Sequence, residues 1–241
     1  MQRYFIEKEQ IHDQSITISN GDFHHIKNVM RYNINDKVIV NTNDGHIFLC
    51  KIVAFQVDKV VLNIINEVES QNNILNLDLG LSLTKKDHFE LALKKITELG
   101  VSGIIPLETE RSIIKIKDFQ KKKERYTLIC KESSEQSERT ILPEIYHLQT
   151  IDSLNLESYD HLFVAYAREE SKSLKSYFNN INKSDRTIVL IGPEGGFTQK
   201  EISRLIDKGF KTVSLGKTIL RAETAAIYLT SVFRYTMEEE S

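Results

Sequence analysis

The first 70 residues have the alternating apolar and polar pattern of short β-strands. The predicted strands are Lys37–Asn41, His46–Phe55 and Val57–Val68. The turn at Asn43–Gly45 places Asp-Gly between β-branched runs, which is typical of a tight hairpin. Asp22 is expected to N-cap a short helix before these strands, with Phe23, Ile26, Val29 and Met30 on its apolar face. Short strands joined by tight turns favour a small barrel over residues 1–70.

A polar run at Glu69–Asn73 marks a linker, after which the pattern changes. Strand and helix patterns alternate through residues 74–241, and a helix beginning near Asp87 stops before Gly100. Another helix is expected over about 121–135. The predicted strands are Leu75–Leu83, Val101–Leu107, 161–166, Thr187–Ile191 and 211–215. This β-α-β order predicts an α/β domain with a parallel sheet covered by helices.

Composition is that of an ordinary globular protein, with 40% hydrophobic and 27% charged residues. There is no run of about 20 apolar residues and no signal-like N-terminus, so a cytoplasmic protein without a membrane span is expected. The net charge is only -2, but the segment from Arg111 to Lys131 has eight basic and two acidic residues. A concentrated basic segment can contact phosphates, although many such segments are simply solvated faces.

Two glycine-containing loops are the candidate chemical site. The buried strand Thr187–Ile191 leads into Gly192–Phe197, and Thr198 with Glu201 then forms a capping box. A second strand leads into Gly216 and the apolar pair Ile219–Leu220, which can form walls for a flat ring such as adenine. Open α/β sheets bind ligands at the carboxyl ends of strands, so both loops are predicted to bind one. Neither loop has the glycine spacing of a dinucleotide site or a P-loop.

At these loops the sequence resembles the ribosomal RNA small subunit methyltransferase E family of the knotted SPOUT superfamily. The resemblance rests on Ile191–Phe197, on Leu215–Gly216 with Ile219–Ala225, and on Lys95–Val101. It extends to Glu110–Ser112, to Glu135–Ser137 with Arg139 and Pro143, and to His25–Arg31 with Asp36, so it covers nearly the whole chain. One departure is Lys217-Thr218, where the family commonly has Pro-Arg.

The resemblance implies a PUA-like RNA-binding β-barrel at 1–70 and a SPOUT methyltransferase domain with a trefoil knot at 74–241. It also implies a homodimer and methylation of N3 of one uridine in 16S ribosomal RNA, near the decoding site of the small subunit. S-adenosyl-L-methionine would be the methyl donor, and no metal is needed for this transfer. The seven histidines contain no compact metal-binding pair.

The resemblance also suggests roles for individual residues. We expect Glu223 to accept the N3 proton, with Glu194 as the rival base, and Arg221 to stabilise charge on the uracil oxygens. The expected cofactor contacts are Leu190, Ile191, Gly192, Pro193, Glu194, Gly195, Gly196, Leu215, Gly216, Ile219 and Leu220. The expected RNA contacts are Arg31, Lys85, Lys86, Arg111 and Arg139.

Two alternatives stay open at this stage. Another SPOUT enzyme, methylating a ribose 2′-hydroxyl or a transfer RNA base, would share the cofactor loops. Ribose-methylating members have a different final motif from Leu220–Thr224, which argues against them. A non-catalytic RNA-binding factor in ribosome assembly would need only the small domain and the basic segment.

Overall fold

A computed structural model of the chain describes residues 1–69, 75–112, 114–115, 118–167, 174–178 and 181–237. The chain forms two compact units. The first contains Met1–Asn73 and Ser134–Leu142, and the second contains Ile74–Ser133 and Pro143–Ser241. The predicted linker, apart from Glu69, and the acidic residues at the C-terminus lie outside the described residues.

The first unit contains a mixed six-stranded sheet in the order β1-β4-β5-β6-β3-β2. Its strands are β1 (Arg3–Ile6), β2 (Ile11–His12), β3 (Ser15–Ser19), β4 (Lys37–Thr42), β5 (Ile47–Phe55) and β6 (Lys59–Glu67). The three strands predicted from the sequence correspond to β4, β5 and β6, and Gly45 takes a φ of 94° in the predicted hairpin turn. β1 pairs with β4 in parallel, and the other neighbours are antiparallel.

The helix of the first unit differs from the prediction. Helix α1 spans Asn20–His24 and continues as a π-helical turn over His25–Val29. Its N-cap is Ser19 rather than Asp22, so the predicted start was wrong by three residues. Ile26 is fully buried as expected, but Val29 is 58% exposed. A π-turn holds more residues than an α-turn, so side chains beyond it rotate away from the face that α-helical spacing predicts.

The segment Ser134–Leu142 completes the first unit. Asn41 on β4 is fully buried, and its Nδ2 donates hydrogen bonds to the carbonyl oxygens of Arg139 (2.9 Å) and Thr140 (3.3 Å). Its Oδ1 accepts from Arg3 Nη1 at 3.0 Å. The backbone N–H of Phe5 donates to Glu135 Oε1 at 3.2 Å. Buried polar groups need such partners, so the first unit depends on residues that follow it by about sixty positions.

The second unit is built on a parallel sheet in the order β10-β8-β7-β12-β11-β13, with the short β9 also pairing with β8. Its strands are β7 (Leu77–Ser82), β8 (Gly103–Glu108), β9 (Glu144–Ile145), β10 (Gln149–Thr150), β11 (His161–Ala165), β12 (Thr187–Ile191) and β13 (Lys211–Val213). Its helices are α2 (Lys86–Glu98), α3 (Phe119–Gln136), α4 (Lys175–Phe178), α5 (Gln199–Asp207) and α6 (Ala222–Met237). The prediction of an α/β fold with a parallel sheet is confirmed.

Both faces of the parallel sheet are covered. One face packs against α2, α3 and α6 through a core that includes Leu79, Phe89 and Leu229. The other face packs against α5 through Leu190 and Leu205. All five residues of β12 are buried, as expected for a central strand of a parallel sheet. The two cysteines are free and buried, and burial raises the pKa of the Cys50 thiol to about 12.

Replacing Asn41 by alanine tests the dependence of the first unit on the later segment. Asn41→Ala removes the side-chain donor to the carbonyl oxygens of Arg139 and Thr140 and the acceptor of Arg3 Nη1, so we expect the free energy of unfolding to fall by about 1–3 kcal/mol. Urea denaturation measures the change. The control is Asn43→Ala, since Asn43 is exposed and its Nδ2 donates to Oε1 of the exposed Glu7 at 3.2 Å. Equal stability of the two variants would contradict the structural role of Asn41.

Candidate functional site

A cavity of about 360 Å³ lies at the carboxyl edge of the parallel sheet. The loops that follow three adjacent strands, β12, β11 and β13, form most of its wall. The lining residues are Arg111, Ala165, Tyr166, Ala167, Ile191, Gly192, Pro193, Glu194, Gly195, Gly196, Phe197, Gln199, Leu215, Gly216, Thr218, Ile219, Leu220, Ala222 and Ala225. A cavity of this size at this edge is where α/β folds place small ligands.

The structure brings both predicted glycine loops to this cavity. Every residue expected to contact a cofactor lines it, apart from Leu190. Leu190 is fully buried on the face of the sheet that packs against α5. There its side chain occupies the space beside Gly80 of β7, where a Cβ atom would lie 2.2 Å from Leu190 Cδ2. Its side chain is therefore part of the core.

A buried glutamate holds the first glycine loop. Glu201, which is 1% exposed, accepts from the backbone N–H of Thr198 through Oε2 at 2.8 Å, which completes the predicted capping box. Its Oε1 accepts from the backbone N–H of Glu110 at 2.8 Å, so one carboxylate joins the loop after β8 to the start of α5. Arg111 adds a second connection, because its Nη1 donates to the carbonyl oxygen of Gly195 at 2.7 Å.

The second glycine loop uses a backbone conformation that favours glycine. Gly216 has a φ of 128°, which side-chain-bearing residues rarely adopt. The hydroxyl of Ser214 is 3.3 Å from the Gly216 N–H and 3.2 Å from its carbonyl oxygen. The loop continues into Ile219, which is 85% exposed, and Leu220, which is partly buried. This wall therefore contains the apolar side chains of Leu215, Ile219 and Leu220 together with Gly216.

The residues expected to be catalytic lie beside the cavity rather than in its wall. Arg221 is exposed immediately before α6. Glu223, in the first turn of α6, is 8% exposed, and its Oε1 lies 3.8 Å from Nδ1 of His88 on α2. Its neighbours Ala222 and Ala225 line the cavity. Glu194, the rival base, is exposed and does line the cavity.

The five expected RNA contacts have different environments. Lys85 and Lys86 are exposed at the start of α2, and Arg31 is exposed in the first unit with a φ of 55°. Arg111 is exposed but is tied to Gly195 and lines the cavity. Arg139 is only 9% exposed, and its Nε donates to the carbonyl oxygen of Ile141 at 3.1 Å. Arg139 therefore has a structural position inside the first unit.

Sequence reasoning missed one of the three loops that form the cavity. Ala165, the last residue of β11, and the following Tyr166 and Ala167 line the cavity, although this segment has no glycine pattern. The signal was available, because the apolar run at 161–166 predicts a strand whose carboxyl end lies at the same sheet edge. Four more residues that line the cavity were not predicted, because they lie in or beside α5 and α6, whose positions the local sequence pattern does not reveal. They are Phe197, Gln199, Ala222 and Ala225.

Comparison with protein families agrees with this architecture. A model of the RNA methyltransferase domain matches residues 70–234, and a model of the RNA methyltransferase PUA domain matches residues 18–65. The ribosomal RNA small subunit methyltransferase E of Bacillus subtilis is 34% identical, over 99% of this chain and 98% of its own length. The chain belongs to the ribosomal RNA small subunit methyltransferase E family. The resemblance inferred from the sequence, and with it the prediction of a methyltransferase, is confirmed.

Solved structures of similar proteins include two that contain a cofactor. A putative methyltransferase from Legionella pneumophila, in complex with S-adenosylmethionine, is 29% identical with a TM-score of 0.87, covering 97% of this chain and 96% of that one. A small subunit methyltransferase E from Neisseria gonorrhoeae, bound to S-adenosylmethionine, is 25% identical with a TM-score of 0.86, covering 98% of both chains. Members of the family with this fold therefore bind that cofactor.

The described residues contain no group of three or more histidine, cysteine, aspartate and glutamate side chains arranged to hold a metal ion. None of the helices in this part of the chain has the length and apolar character that crossing a bilayer requires.

Replacing Glu201 tests whether its carboxylate organises the cavity. Glu201→Gln puts an amide group where two backbone N–H donors converge, so at least one donor loses its acceptor. We expect the free energy of unfolding to fall by about 1–3 kcal/mol, as measured by urea denaturation. Glu124→Gln, at an exposed position on α3, is the control and should change stability by less than about 0.5 kcal/mol. Unchanged stability of the Glu201 variant would show that the loop is held by other contacts.

Proposed function

We propose that this protein transfers a methyl group from S-adenosyl-L-methionine to N3 of a uridine in 16S ribosomal RNA, near the decoding site of the small subunit. The single observation that carries this proposal is the cavity formed by both glycine loops at the carboxyl edge of the sheet. Family membership supports the substrate, because the B. subtilis relative is named for methylation of small-subunit ribosomal RNA. An enzyme acting on this RNA works where ribosomal subunits are, which supports a cytoplasmic location.

The residues around the cavity suit S-adenosylmethionine. A volume of about 360 Å³ lies within the range of small-molecule sites. Ile191, Leu215 and Leu220 provide apolar surface for the adenine ring, and the backbone of both loops provides hydrogen-bonding groups. The exposed carboxylate of Glu194 favours a positively charged ligand such as a sulfonium. These features support the ten predicted cavity-lining residues as the cofactor contacts.

The two units have different proposed roles. Residues 1–70 would form a PUA-like RNA-binding barrel, which the PUA-domain match over 18–65 supports. Residues 74–241 would form the SPOUT methyltransferase domain, with a trefoil knot among the loops at the cavity. The convergence of three loops from adjacent strands on one cavity supports this arrangement.

The RNA would be held mainly through its phosphates. Lys85 and Lys86 are exposed at the start of α2, which begins at the same sheet edge as the cavity, and Arg111 is exposed on the cavity wall. Arg31 is exposed in the first unit. These four cations are available to phosphate oxygens. Arg139 is nine-tenths buried, so it would support RNA binding indirectly, by stabilising the fold of the first unit. The target base must leave any base pair before its N3 can react.

The chain's own residues would place the base and remove its proton. When bound, S-adenosylmethionine supplies the methyl group, so the N3–carbon bond forms as the carbon–sulfur bond breaks and its electron pair goes to sulfur. Glu223 would accept the proton that N3 loses, and Arg221 would stabilise negative charge on the uracil oxygens. The position of both residues at the start of α6, directly after the second loop, supports these roles. The main contribution of the protein is to hold the two reactants in line.

We also propose a homodimer. Ile219, Tyr228 and Tyr235 are 85%, 46% and 83% exposed, on α6 and on the loop before it. Large apolar side chains left exposed on one helix and the loop leading into it support an interface. Light scattering on the purified protein distinguishes a dimer from a monomer, and a monomer at working concentration would refute this proposal.

Mass spectrometry of ribosomal RNA nucleosides tests the reaction and the substrate. Deleting the gene should abolish 3-methyluridine in small-subunit ribosomal RNA. Purified protein with S-adenosylmethionine should restore it on small subunits from the deletion strain. Loss of a different methylated nucleoside would show that the protein is a methyltransferase with a different target. No change in any nucleoside of ribosomal or transfer RNA would favour the non-catalytic assembly factor.

Replacing Glu223 tests the proposed base. Glu223→Gln removes the proton acceptor with little change in shape, so we expect the methylation rate to fall about 100-fold or more. Affinity for S-adenosylmethionine, measured by calorimetry, should stay within about twofold of wild type. Glu194→Gln provides the comparison, because Glu194 is the rival base and lines the cavity. Full activity of the Glu223 variant together with loss of activity in the Glu194 variant would reassign the base.

A further inference from the structure

A histidine and a glutamate meet beside the cavity, at the first turns of two packed helices. His88 Nδ1 on α2 lies 3.8 Å from Glu223 Oε1 on α6. The side chains are 36% and 10% exposed, respectively, so the glutamate is almost fully withdrawn from water. Both helices start at the carboxyl edge of the sheet, and Ala222 and Ala225 on either side of Glu223 line the cavity. The pair is therefore next to the proposed reaction site.

Both side chains have a buried polar atom without a hydrogen bond. Among the described residues, neither His88 Nδ1 nor Glu223 Oε2 has a hydrogen-bond partner. A separation of 3.8 Å is too long for a hydrogen bond, but a shift of about 1 Å would create one between Nδ1 and Oε1. A buried acceptor without a partner lowers stability, so its presence calls for a reason. A donor supplied by the substrate is such a reason.

The surroundings make Glu223 the partner of this histidine. On α2, Lys85, Lys86 and Asp87 are exposed. Glu90, one turn further on, is engaged by Arg125 of α3 through two hydrogen bonds of 2.6 Å. That arginine holds the pKa of Glu90 below its usual value. From α6, the carboxylate that approaches the His88 ring is that of Glu223.

We propose that His88 is a positioning residue for the proposed reaction, donating a hydrogen bond from Nδ1 to Glu223 Oε1 and so directing Oε2 to the N3 proton of the uracil. This inference rests on the proposed function. One carboxylate oxygen is fixed by the imidazole, and the other accepts the proton that leaves N3. In the Ser-His-Asp triad the carboxylate orients an imidazole base; here the roles are reversed, and the imidazole orients a carboxylate base. His88 itself does not contact the substrate.

A purely structural role for His88 makes a different prediction. If the ring only fills space between α2 and α6, its loss should lower stability and disturb both binding and catalysis. If it orients Glu223, its loss should lower kcat and leave cofactor affinity unchanged, because orientation of the base matters only in the reaction. A residue that keeps an N–H donor at this position should then recover the rate.

The experiment compares His88→Leu, which removes the donor, with His88→Lys, which places an N–H donor at the same position. For each variant, kcat and KM are measured on small subunits that lack 3-methyluridine. The Kd for S-adenosylmethionine and the Tm are measured on the same preparations. His147→Leu is the matched control, because His147 is exposed in the same unit and far along the chain from both glycine loops. His88→Ala replaces the leucine variant if that variant does not fold.

We expect His88→Leu to lose about 10-fold or more in kcat, with the Kd for S-adenosylmethionine within about twofold of wild type. His88→Lys should recover most of the lost rate, and His147→Leu should match wild type. Wild-type kcat in His88→Leu, or equal losses of kcat in the leucine and lysine variants, would overturn the inference. Full activity of Glu223→Gln would also overturn it by removing the base it serves. Failure of the wild-type protein to methylate any RNA would instead refute the proposed function.

Discussion

The parallel pairing of β12 with β7 on one side and β11 on the other is the constraint on which the site depends. In this register Ile191 lies opposite Leu81 and Ala165, so these three strands end at the same level of the sheet. The loops that follow these strands therefore leave the sheet at the same edge, and the cavity forms where they meet. Packing on both faces of β12 fixes this register, because a one-residue slip would exchange side chains between the two cores and separate Leu190 from Gly80, whose lack of a Cβ makes room for it. The core thus decides where the ligand can bind.

Buried polar groups then decide the shape of the loops, which the core leaves undetermined. The carboxylate of Glu201 accepts from two backbone N–H groups that belong to different loops. A charged acceptor withdrawn from water has few alternative partners, so it holds both loops in one arrangement. Asn41 does the same in the first unit, where it holds the segment that returns at Ser134–Leu142. In both units one buried side chain secures a distant part of the chain.

The sequence allowed prediction of those features that depend on local pattern. The strands β4–β8 and β11–β13, the helix α2 and the capping box at Thr198 lie within a few residues of their predicted positions. The glycine loops were found because strand, loop and cap follow one another directly in the chain. Contacts between distant segments gave no such signal. Three features depend on how separate elements pack. They are the burial of Arg139, the hydrogen bond from the Glu110 N–H to Glu201 and the approach of His88 to Glu223.

The position of Glu223 shows how stability and the proposed chemistry are balanced at this site. A carboxylate in the first turn of α6 is favoured by the positive end of the helix dipole, which offsets part of the cost of burying it. The remaining cost is an oxygen without a hydrogen-bond partner in the described part of the chain. A carboxylate with both oxygens hydrogen-bonded would be more stable, but it would have to give up a hydrogen bond to accept a proton. In the proposed reaction, Oε2 of Glu223 can accept the proton of the uracil nitrogen without that exchange.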